Sequence, residues 1–381
     1  MKKWVFNSIL LLLLTVAWQT SLQANRPIAP DSGLFKKEFT KTIDKSFDIS
    51  ANGTVDLSSK FGEIKVVTGA ENRVVIKVDI VVHANSEDRA KQVFDRIDVD
   101  FSNGADYVSA KTEIESRSNG WNWWGSSNNS DFEINYEVRM PKTARLDLEM
   151  RHGDAFVAAL DGEVQINVAH GSFRLEGGEA NMGIELAHGK GNIIQANNAE
   201  VEIRHSKLHF KNANQVEVES RHSRVEIDQA ARVKSNSAHD TYEIGTVNEF
   251  RNEGRHDNFD IDQVNIIEVD AKYSDFDVKG ISQRGEFDLQ FGGLDLDKLS
   301  KGFSELKMSG SHSNFRLEVE DGAAYRFEAY GTHAGINYPS NMEVHMEKEK
   351  NTSHEVEGYV GQQDANSMIK VRLSHGNVKL R

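Results

Sequence analysis

Histidine is the residue type in this sequence whose number and spacing point most directly to chemistry. Ten of the 14 histidines lie in one register, which other aromatic residues share. The steps are 17 or 18 residues up to Phe291 and 21 residues up to His333, and His375 follows two longer steps on. The register positions are His152, His170, His188, His205, His222, His239, His256, Tyr273, Phe291, His312, His333 and His375. Because imidazole is a common ligand of zinc, copper and nickel, a metal-loading periplasmic protein is one interpretation.

A structural role for this register explains more of the sequence than metal binding does. Phe61, Tyr273 and Phe291 occupy the same position and offer no nitrogen ligand. No carboxylate recurs at a fixed offset to complete a coordination sphere. The position also shares parity with the apolar Val216 and Val218, which predicts rings that lean inward at a corner. We therefore expect a structural ladder of stacked rings, with no metal and no cofactor.

A second candidate site is an aromatic loop, which we place at residues 118–130. Trp121, Trp123 and Trp124 lie there among Gly, Ser and Asn. Such a composition predicts a loop, and exposed tryptophans can stack on sugar rings or anchor in an interface. The loop is therefore our predicted contact with a partner, a cell-surface glycan or an envelope protein. The alternative is that the tryptophans fold back over the solenoid as a hydrophobic lid.

The sequence gives only weak evidence for catalytic groups. A glycosidase needs two carboxylates that face one cleft, whereas the acids here are spread evenly along the repeats. The run from Gly292 to Asp297 resembles half of a calcium-binding nonapeptide, but it occurs once and lacks a required glycine. The sequence has no Gly-x-Ser-x-Gly elbow, phosphate loop or His-Glu-x-x-His motif. We predict no catalytic residues; the alternative is a carbohydrate-binding or polysaccharide-active β-helix protein.

The elements that position these residues form a repeat of two short strands around a corner. In the unit from Val216 to Ile227, apolar and charged residues alternate on both sides of His222. Period two predicts strands with one buried face, and such a small unit can bury that face only against stacked copies. The fold class is therefore all-β, a parallel β-solenoid (β-helix) with 17–21-residue rungs and one short N-terminal capping helix. A β-sandwich of hairpins is the competing fold.

The repeat divides the chain into regions. Residues 25–140 hold N-terminal strands, the Trp-rich loop and a capping helix at 86–97, with Ser86 as N-cap and Ala90, Val93, Phe94 and Ile97 on its apolar face. Residues 141–340 hold the regular repeats. Charge and glycine interrupt the pattern after residue 340, so 341–381 are predicted as an irregular loop and a final rung.

The N-terminus and the composition predict export. Lys2 and Lys3 precede an apolar run from Ile9 to Ala17 and a small-residue exit at Ala24, which is typical of a secretory signal peptide over residues 1–24. A retained N-terminal anchor is the alternative. No later segment could span a membrane as a helix. The chain has no cysteine and a formal net charge of −14, which disfavours nucleic acid as a partner. The predicted location is the periplasm, the outer surface or the medium, and the oligomeric state is open.

The sequence resembles the bacterial "putative adhesin" family, exported domains of unknown function from Bacteroidota-like bacteria. The likeness rests on Phe61-Gly62-Glu63-Ile64, on the helix from Ala90 to Ile97, and on corners such as His152-Gly153-Asp154. It covers the chain from about Phe39 onward. The resemblance implies adhesion or association with the envelope surface, through a non-enzymatic binding or scaffolding role, and it supplies no catalytic residues.

Overall fold

The computed structural model describes residues 36–69, 72–115 and 131–381, which form an all-β parallel solenoid of about 10 turns with one short helix. The predicted signal peptide and Trp121, Trp123 and Trp124 lie outside these residues. The elements of the N-terminal part are β1 Lys37–Asp48, β2 Thr54–Gly69, β3 Arg73–Ala84, α1 Glu87–Phe94, β4 Ile97–Asn103, β5 Tyr107–Ile114 and β6 Asp131–Pro141.

The remaining strands form the regular turns and the C-terminal end. They are β7 Arg145–Val157, β8 Val164–Ala169, β9 Ser172–Leu175, β10 Asn181–Ala187, β11 Lys190–Arg204, β12 Lys207–Arg221, β13 Arg224–Ala238, β14 Thr241–Arg255, β15 Asn258–Lys272, β16 Asp275–Val278, β17 Ile281–Gln290, β18 Gly293–Leu299, β19 Glu305–Val319, β20 Tyr325–Asn337, β21 Glu343–Lys350, β22 Ser353–Val360 and β23 Met368–Leu380. In the described part of the chain, no helix has the length and apolar character needed to cross a membrane.

Each long strand runs from one corner of the solenoid to the next. It therefore contains the second half of one sequence repeat and the first half of the following repeat. Strand β13 begins just after His222 and ends just before His239, and it pairs in parallel with β12 and β14 along almost its whole length. Equivalent residues of successive turns are therefore neighbours, as in the pair Val225 and Tyr242. The 17-residue spacing in the sequence is thus the length of one turn, and the predicted parallel β-solenoid is confirmed.

The core is filled by the apolar residues of the alternating pattern. Val216 and Val218 are completely buried, while Glu217 and Glu219 between and beside them are exposed. The aromatic rings of Tyr242, Phe259 and Phe276 stack within the core, with centroids 4.9 and 4.6 Å apart. Parallel pairing places like residues on top of one another, so apolar side chains form continuous ladders that exclude water.

The N-terminal end of the solenoid is closed by an insertion between the first two turns. Strand β2 pairs in parallel with β7 on one side and with β5 and β6 on the other. Strands β4 and β3 then extend the sheet antiparallel to β5 and β6, and β1 pairs antiparallel to β3. Helix α1 packs against β1, β3 and β4, and its N-cap Ser86 accepts a hydrogen bond from the Arg89 N–H. The predicted helix end at 97 is wrong: α1 ends at Phe94, and Ile97 begins β4, where it pairs with Ile114.

The C-terminal end differs from the prediction for residues 341–381. Strands β21 and β22 form an antiparallel hairpin, not an irregular loop, and β22 pairs with β20. The last strand, β23, is not the last rung in space, because it pairs in parallel with both β19 and β20 and so lies between them. The hairpin follows β20 outward and thereby covers the end of the stack.

Candidate functional site

A single stack of aromatic rings runs along one corner of the solenoid. Neighbouring ring centroids lie 4.6–5.3 Å apart, with interplanar angles of 1–13°. In spatial order, the ring ladder is Phe61, His152, His170, His188, His205, His222, His239, His256, Tyr273, Phe291, His312, His375 and His333. The structure thus brings together every described residue of the predicted register.

The ring ladder faces outward, so the prediction of inward-leaning rings is wrong. All of its residues have left-handed backbone conformations, with φ between 50° and 64°. A left-handed residue turns the chain through the corner, and this turn breaks the parity of the preceding strand. The histidine rings are exposed as a result, and Tyr273 and Phe291 are 52% and 47% exposed. Histidine tolerates this conformation better than most residues, which explains why it prevails at the position.

The geometry of the ring ladder does not favour metal coordination. Lone pairs of imidazole nitrogens lie in the ring plane. The ring centroids of His188 and His205 are 5.0 Å apart, and their planes are almost parallel. Their lone pairs run side by side and do not converge on one point. The described residues also contain no group of three or more His, Cys, Asp or Glu side chains that could hold a metal ion. Stacking is the role that this geometry supports.

His239 shows how neighbouring rings affect one another. Partial desolvation lowers the pKa of His239, and repulsion from charge on His256, His222 and Arg255 lowers it further. The nearby Asp240 carboxylate acts in the opposite direction. The protonated form of His239 is therefore disfavoured, as expected for like charges about 5 Å apart.

A second ladder, which the sequence interpretation missed, lies directly inside the first. The residue after each ring is Gly, Ser or Asp in most turns. From Ser206 to Ser274 it is Ser or Asp, and its side-chain oxygen accepts a hydrogen bond from the backbone N–H of the equivalent residue in the preceding turn. Hydrogen bonds of 2.6–3.2 Å join Gly189 to Ser206, Ser206 to Ser223, Ser223 to Asp240, Asp240 to Asp257, and Asp257 to Ser274. We call these residues the inner polar ladder. The signal was the restricted choice of residue after each ring.

The glycines in this position lie close to the backbone of the neighbouring turn. A Cβ atom at Gly171 would lie 1.8 Å from the carbonyl oxygen of Gly153. Real Cβ atoms do not approach an oxygen so closely, so the corner accepts no side chain there. In other turns serine or aspartate occupies this position and supplies an acceptor for a buried N–H.

A shallow groove of about 720 Å³ follows the outer face of the strands beyond the ring ladder. Parallel register sets its two walls. One wall carries small polar side chains, Thr241, Asn258, Asp275, Asn314 and Asn377. The other carries charged side chains, Glu243, Asp260, Asp277, Asp295, Arg316 and Lys379. The groove therefore runs along the solenoid axis across six turns.

The chemistry of this groove is that of hydrogen bonding and charge. Its aromatic residues, among them Tyr242, Phe259 and Phe276, are buried beneath the floor and present no exposed ring for stacking. Asp260 lies 3.9 Å from the Lys279 ammonium, and Arg316 donates a 2.7 Å hydrogen bond to Asp295. Asp295 belongs to the calcium-like run of the sequence, and in the structure it forms an ion pair with Arg316. A polar chain lying along the axis would meet amides on one side and carboxylates on the other.

Comparison with known proteins gives distant structural neighbours. No family model matches the sequence, and no curated protein matches it either. A putative cell adhesion protein from Clostridium sporogenes is 9% identical, with 90% of this chain and 99% of that chain covered and a TM-score of 0.19. A putative lipid binding protein from Parabacteroides distasonis is 11% identical, with 89% and 96% covered and a TM-score of 0.27. A putative adhesin from Bacteroides fragilis is 8% identical, with 90% and 97% covered and a TM-score of 0.22. Because these scores are low, the class of protein, an all-β solenoid with a ring-lined corner, rests on the strand register of this chain.

Proposed function

We propose that this chain is a non-enzymatic exported protein that binds or scaffolds at the cell envelope through the outer face of its solenoid, as an adhesin does. The observation that supports this proposal is the groove across six turns. Its walls repeat the same side-chain positions turn after turn, so contacts can extend along the whole axis. Many weak, equivalent contacts in a row suit an extended partner on a surface better than a small substrate.

The location of the protein is part of this proposal. The segment before residue 36 has the charge pattern and apolar run of a signal peptide, and the chain contains no cysteine. The solenoid holds together without disulfides because continuous parallel pairing, for example from β11 to β15, satisfies the backbone hydrogen-bonding groups of each turn. Export is tested by fractionation of cells that express the full chain.

The test of binding is a screen of the mature protein against envelope fractions and immobilised glycans. A groove variant, Asp260→Asn with Asp277→Asn, removes two charges from one wall. A matched control, Glu219→Gln with Asp270→Asn, removes two exposed carboxylates from the strands that precede the ring ladder. We expect the groove variant to lose binding while the control retains it. Equal binding by all three proteins would place the contact elsewhere.

The same binding screen includes an independent variant of the Trp-rich loop. Trp121→Ala, Trp123→Ala and Trp124→Ala together remove the aromatic anchor proposed from the sequence. Loss of binding in this variant alone would assign the contact to the loop and not to the groove. Absence of binding by the wild type would argue against adhesion and leave a scaffolding role.

A carbohydrate-binding or polysaccharide-active role is the second candidate, and the composition of the groove favours it. Amide side chains such as Asn258 and Asn314 lie opposite carboxylates such as Asp260 and Asp277, and together they can hydrogen-bond hydroxyl groups on both sides of a chain. Release of new reducing ends from a bound polysaccharide would distinguish an enzyme from a binding protein. The Asp260→Asn with Asp277→Asn variant would abolish such release if these carboxylates carried it.

A further inference from the structure

Three adjacent turns carry polar side chains in the core at positions where other turns are apolar. One register position holds Ser235 and Asn252 between Val218 and Val269. The register position two residues further along the strand holds, in order, Ile203, Ser220, Ser237, Gly254 and Ala271. Apolar core is thus replaced locally by hydroxyl, amide and glycine. We call Ser220, Ser235, Ser237, Asp240, Tyr242, Asn252 and Asp257 the core polar cluster.

Two carboxylates of the inner polar ladder belong to this cluster. Asp240 is 3% exposed and Asp257 is 1% exposed, and they lie in adjacent turns. Asp240 accepts hydrogen bonds from Ser220, Ser223 and Ala238, and Asp257 accepts them from Asp240 N–H and Ser237 Oγ. In the described part of the chain, neither carboxylate forms an ion pair with Lys, Arg or His. Buried charge of this kind is normally paired or bound to a metal ion, because desolvation is costly.

A buried amide oxygen points to what would complete the cluster. Asn252 is 3% exposed, and its Nδ2 donates to Ser235 Oγ and Ser237 Oγ at 2.9 Å. Its Oδ1 is buried and has no hydrogen-bond partner. The space beside Gly254 is where this oxygen meets others. The position of a Cβ atom there would be 2.5 Å from Asp257 Oδ2, 2.5 Å from Ser237 Oγ and 3.0 Å from Asn252 Oδ1.

We propose that the core polar cluster binds a hard divalent cation of the calcium class beside Gly254, through Asp257, Asn252 and Ser237. Every candidate ligand is an oxygen, which is the preference of calcium and magnesium. The cluster has more acceptors than donors, and among the described residues no Lys, Arg or His forms an ion pair with its two carboxylates. A bound cation would interact with the surplus acceptor oxygens and would also balance the negative charge.

The proposal goes beyond the binding function assigned to the outer groove, since the ion would act on the solenoid itself. The ion would join adjacent turns through side chains of both, because Ser237 and Asn252 precede the corners at His239 and His256 respectively. The rigidity of the solenoid would then depend on the cation in its surroundings.

The experiment uses the mature protein, stripped of metal with a chelator and transferred to metal-free buffer. We expect a single calcium ion per chain by metal analysis after re-addition of calcium chloride and desalting. We also expect the midpoint of thermal unfolding to rise by about 3 °C or more when calcium is present in excess over its dissociation constant. Magnesium chloride and sodium chloride at matched ionic strength separate calcium binding from screening. No bound ion and an unchanged midpoint would overturn the proposal, leaving a water molecule or a proton to complete the cluster.

Variants locate the ion. Asn252→Val places at this position the residue that adjacent turns carry at Val218 and Val269, so the fold should tolerate it. Asp257→Ser likewise copies Ser274. Both variants should lose the bound ion and the calcium-dependent shift of the unfolding midpoint. Asn248→Ala, at an exposed position of β14, should keep both. A shift that survives Asn252→Val and Asp257→Ser would mean that calcium binds the outer carboxylates, which contradicts the proposal. If neither variant folds, the metal content of the wild type decides.

Discussion

The ring of His375 stacks on the ring of His312 with 4.6 Å between centroids and 1° between planes, although most of the C-terminal part of the chain separates them in sequence. The other face of His375 meets His333 at 4.8 Å. The ring ladder is therefore continuous only because the last strand is inserted between two strands that precede it. Turns β19 and β20 depend on a segment that is synthesised after both.

Removal of the inserted strand tests this dependence. A chain that ends at Ser367 lacks β23 and leaves the facing edges of β19 and β20 without a partner. We expect it to aggregate or to pair with a second copy through these edges, because open strand edges recruit other chains. Size-exclusion chromatography with light scattering gives the measurement. A monomeric truncated chain with wild-type thermal stability would show that β19 and β20 close up without β23.

A single substitution in the same strand gives a graded result. Ile369 is completely buried in β23, and Ile369→Ala should lower the free energy of unfolding by about 2–5 kcal/mol. Lys370→Ala, at the next and partly exposed position, should change it by less than about 0.5 kcal/mol. Denaturant unfolding followed by circular dichroism compares the two. Similar effects at both positions would contradict the burial of this strand between two others.

The left-handed backbone conformation of the ring-bearing residues leads to a further prediction. His222 has a φ of 53°, so His222→Val places a β-branched residue in a conformation that costs it about 1–2 kcal/mol, and it also removes ring stacking. His222→Phe should be near wild type, because Phe291 occupies the same position with a φ of 56°. His222→Gly should fall between them, since it loses stacking but fits the backbone. Thermal unfolding ranks the variants, and Glu219→Val on the exposed strand is the control. Equal stability of the Val and Phe variants would refute the corner argument.

The sequence was sufficient for the regular part of the fold because each turn repeats the same local pattern. The period of 17 or 18 residues predicted both the turn length and the register of the rings. It did not predict that the rings face outward, because parity along a strand does not survive a left-handed residue such as His222. The inner polar ladder escaped notice for the same reason: the side that Ser223 faces is decided by that turn.

The two ends of the solenoid were harder to predict. Strand β21 has almost no buried side chain, so its sequence lacks the alternation that marks a strand. The local sequence around His375 looks like that of any other turn, and only long-range pairing determines which neighbours it takes. At α1 the spacing of Ile97 fits a helix, but pairing with Ile114 in an antiparallel extension places Ile97 in a strand. In each case non-local pairing decides the outcome.

The pKa of His239 predicts how stability depends on pH. The pKa is lower in the folded stack than the usual value of about 6.5, so the unfolded chain binds more protons. Stability is therefore fully present above pH 6.5 and is lost as the pH falls from there through the folded pKa. We expect a lower midpoint of thermal unfolding at pH 5 than at pH 7.5, measured in chelator so that no bound cation contributes. His239→Phe should reduce this difference, whereas His83→Phe, outside the ring ladder, should not. An unchanged difference in the His239 variant would argue against coupling between the rings.

The inner polar ladder predicts that a small hydroxyl has a large effect. Ser223 is 7% exposed; its Oγ accepts the N–H of Ser206 at 3.2 Å and donates to the carbonyl of Arg221 at 2.9 Å. Ser223→Ala leaves the buried Ser206 N–H without an acceptor, which should lower the free energy of unfolding by about 1–3 kcal/mol. Ser309→Ala, on the partly exposed outer face of β19, removes the same atom and should cost less than about 0.5 kcal/mol. Amide hydrogen exchange gives a second readout, because the N–H of Ser206 should lose protection in the Ser223 variant while strands several turns away keep theirs. Retained protection would mean that another acceptor replaces the hydroxyl, and the ladder would then be a consequence of the corner and not one of its supports.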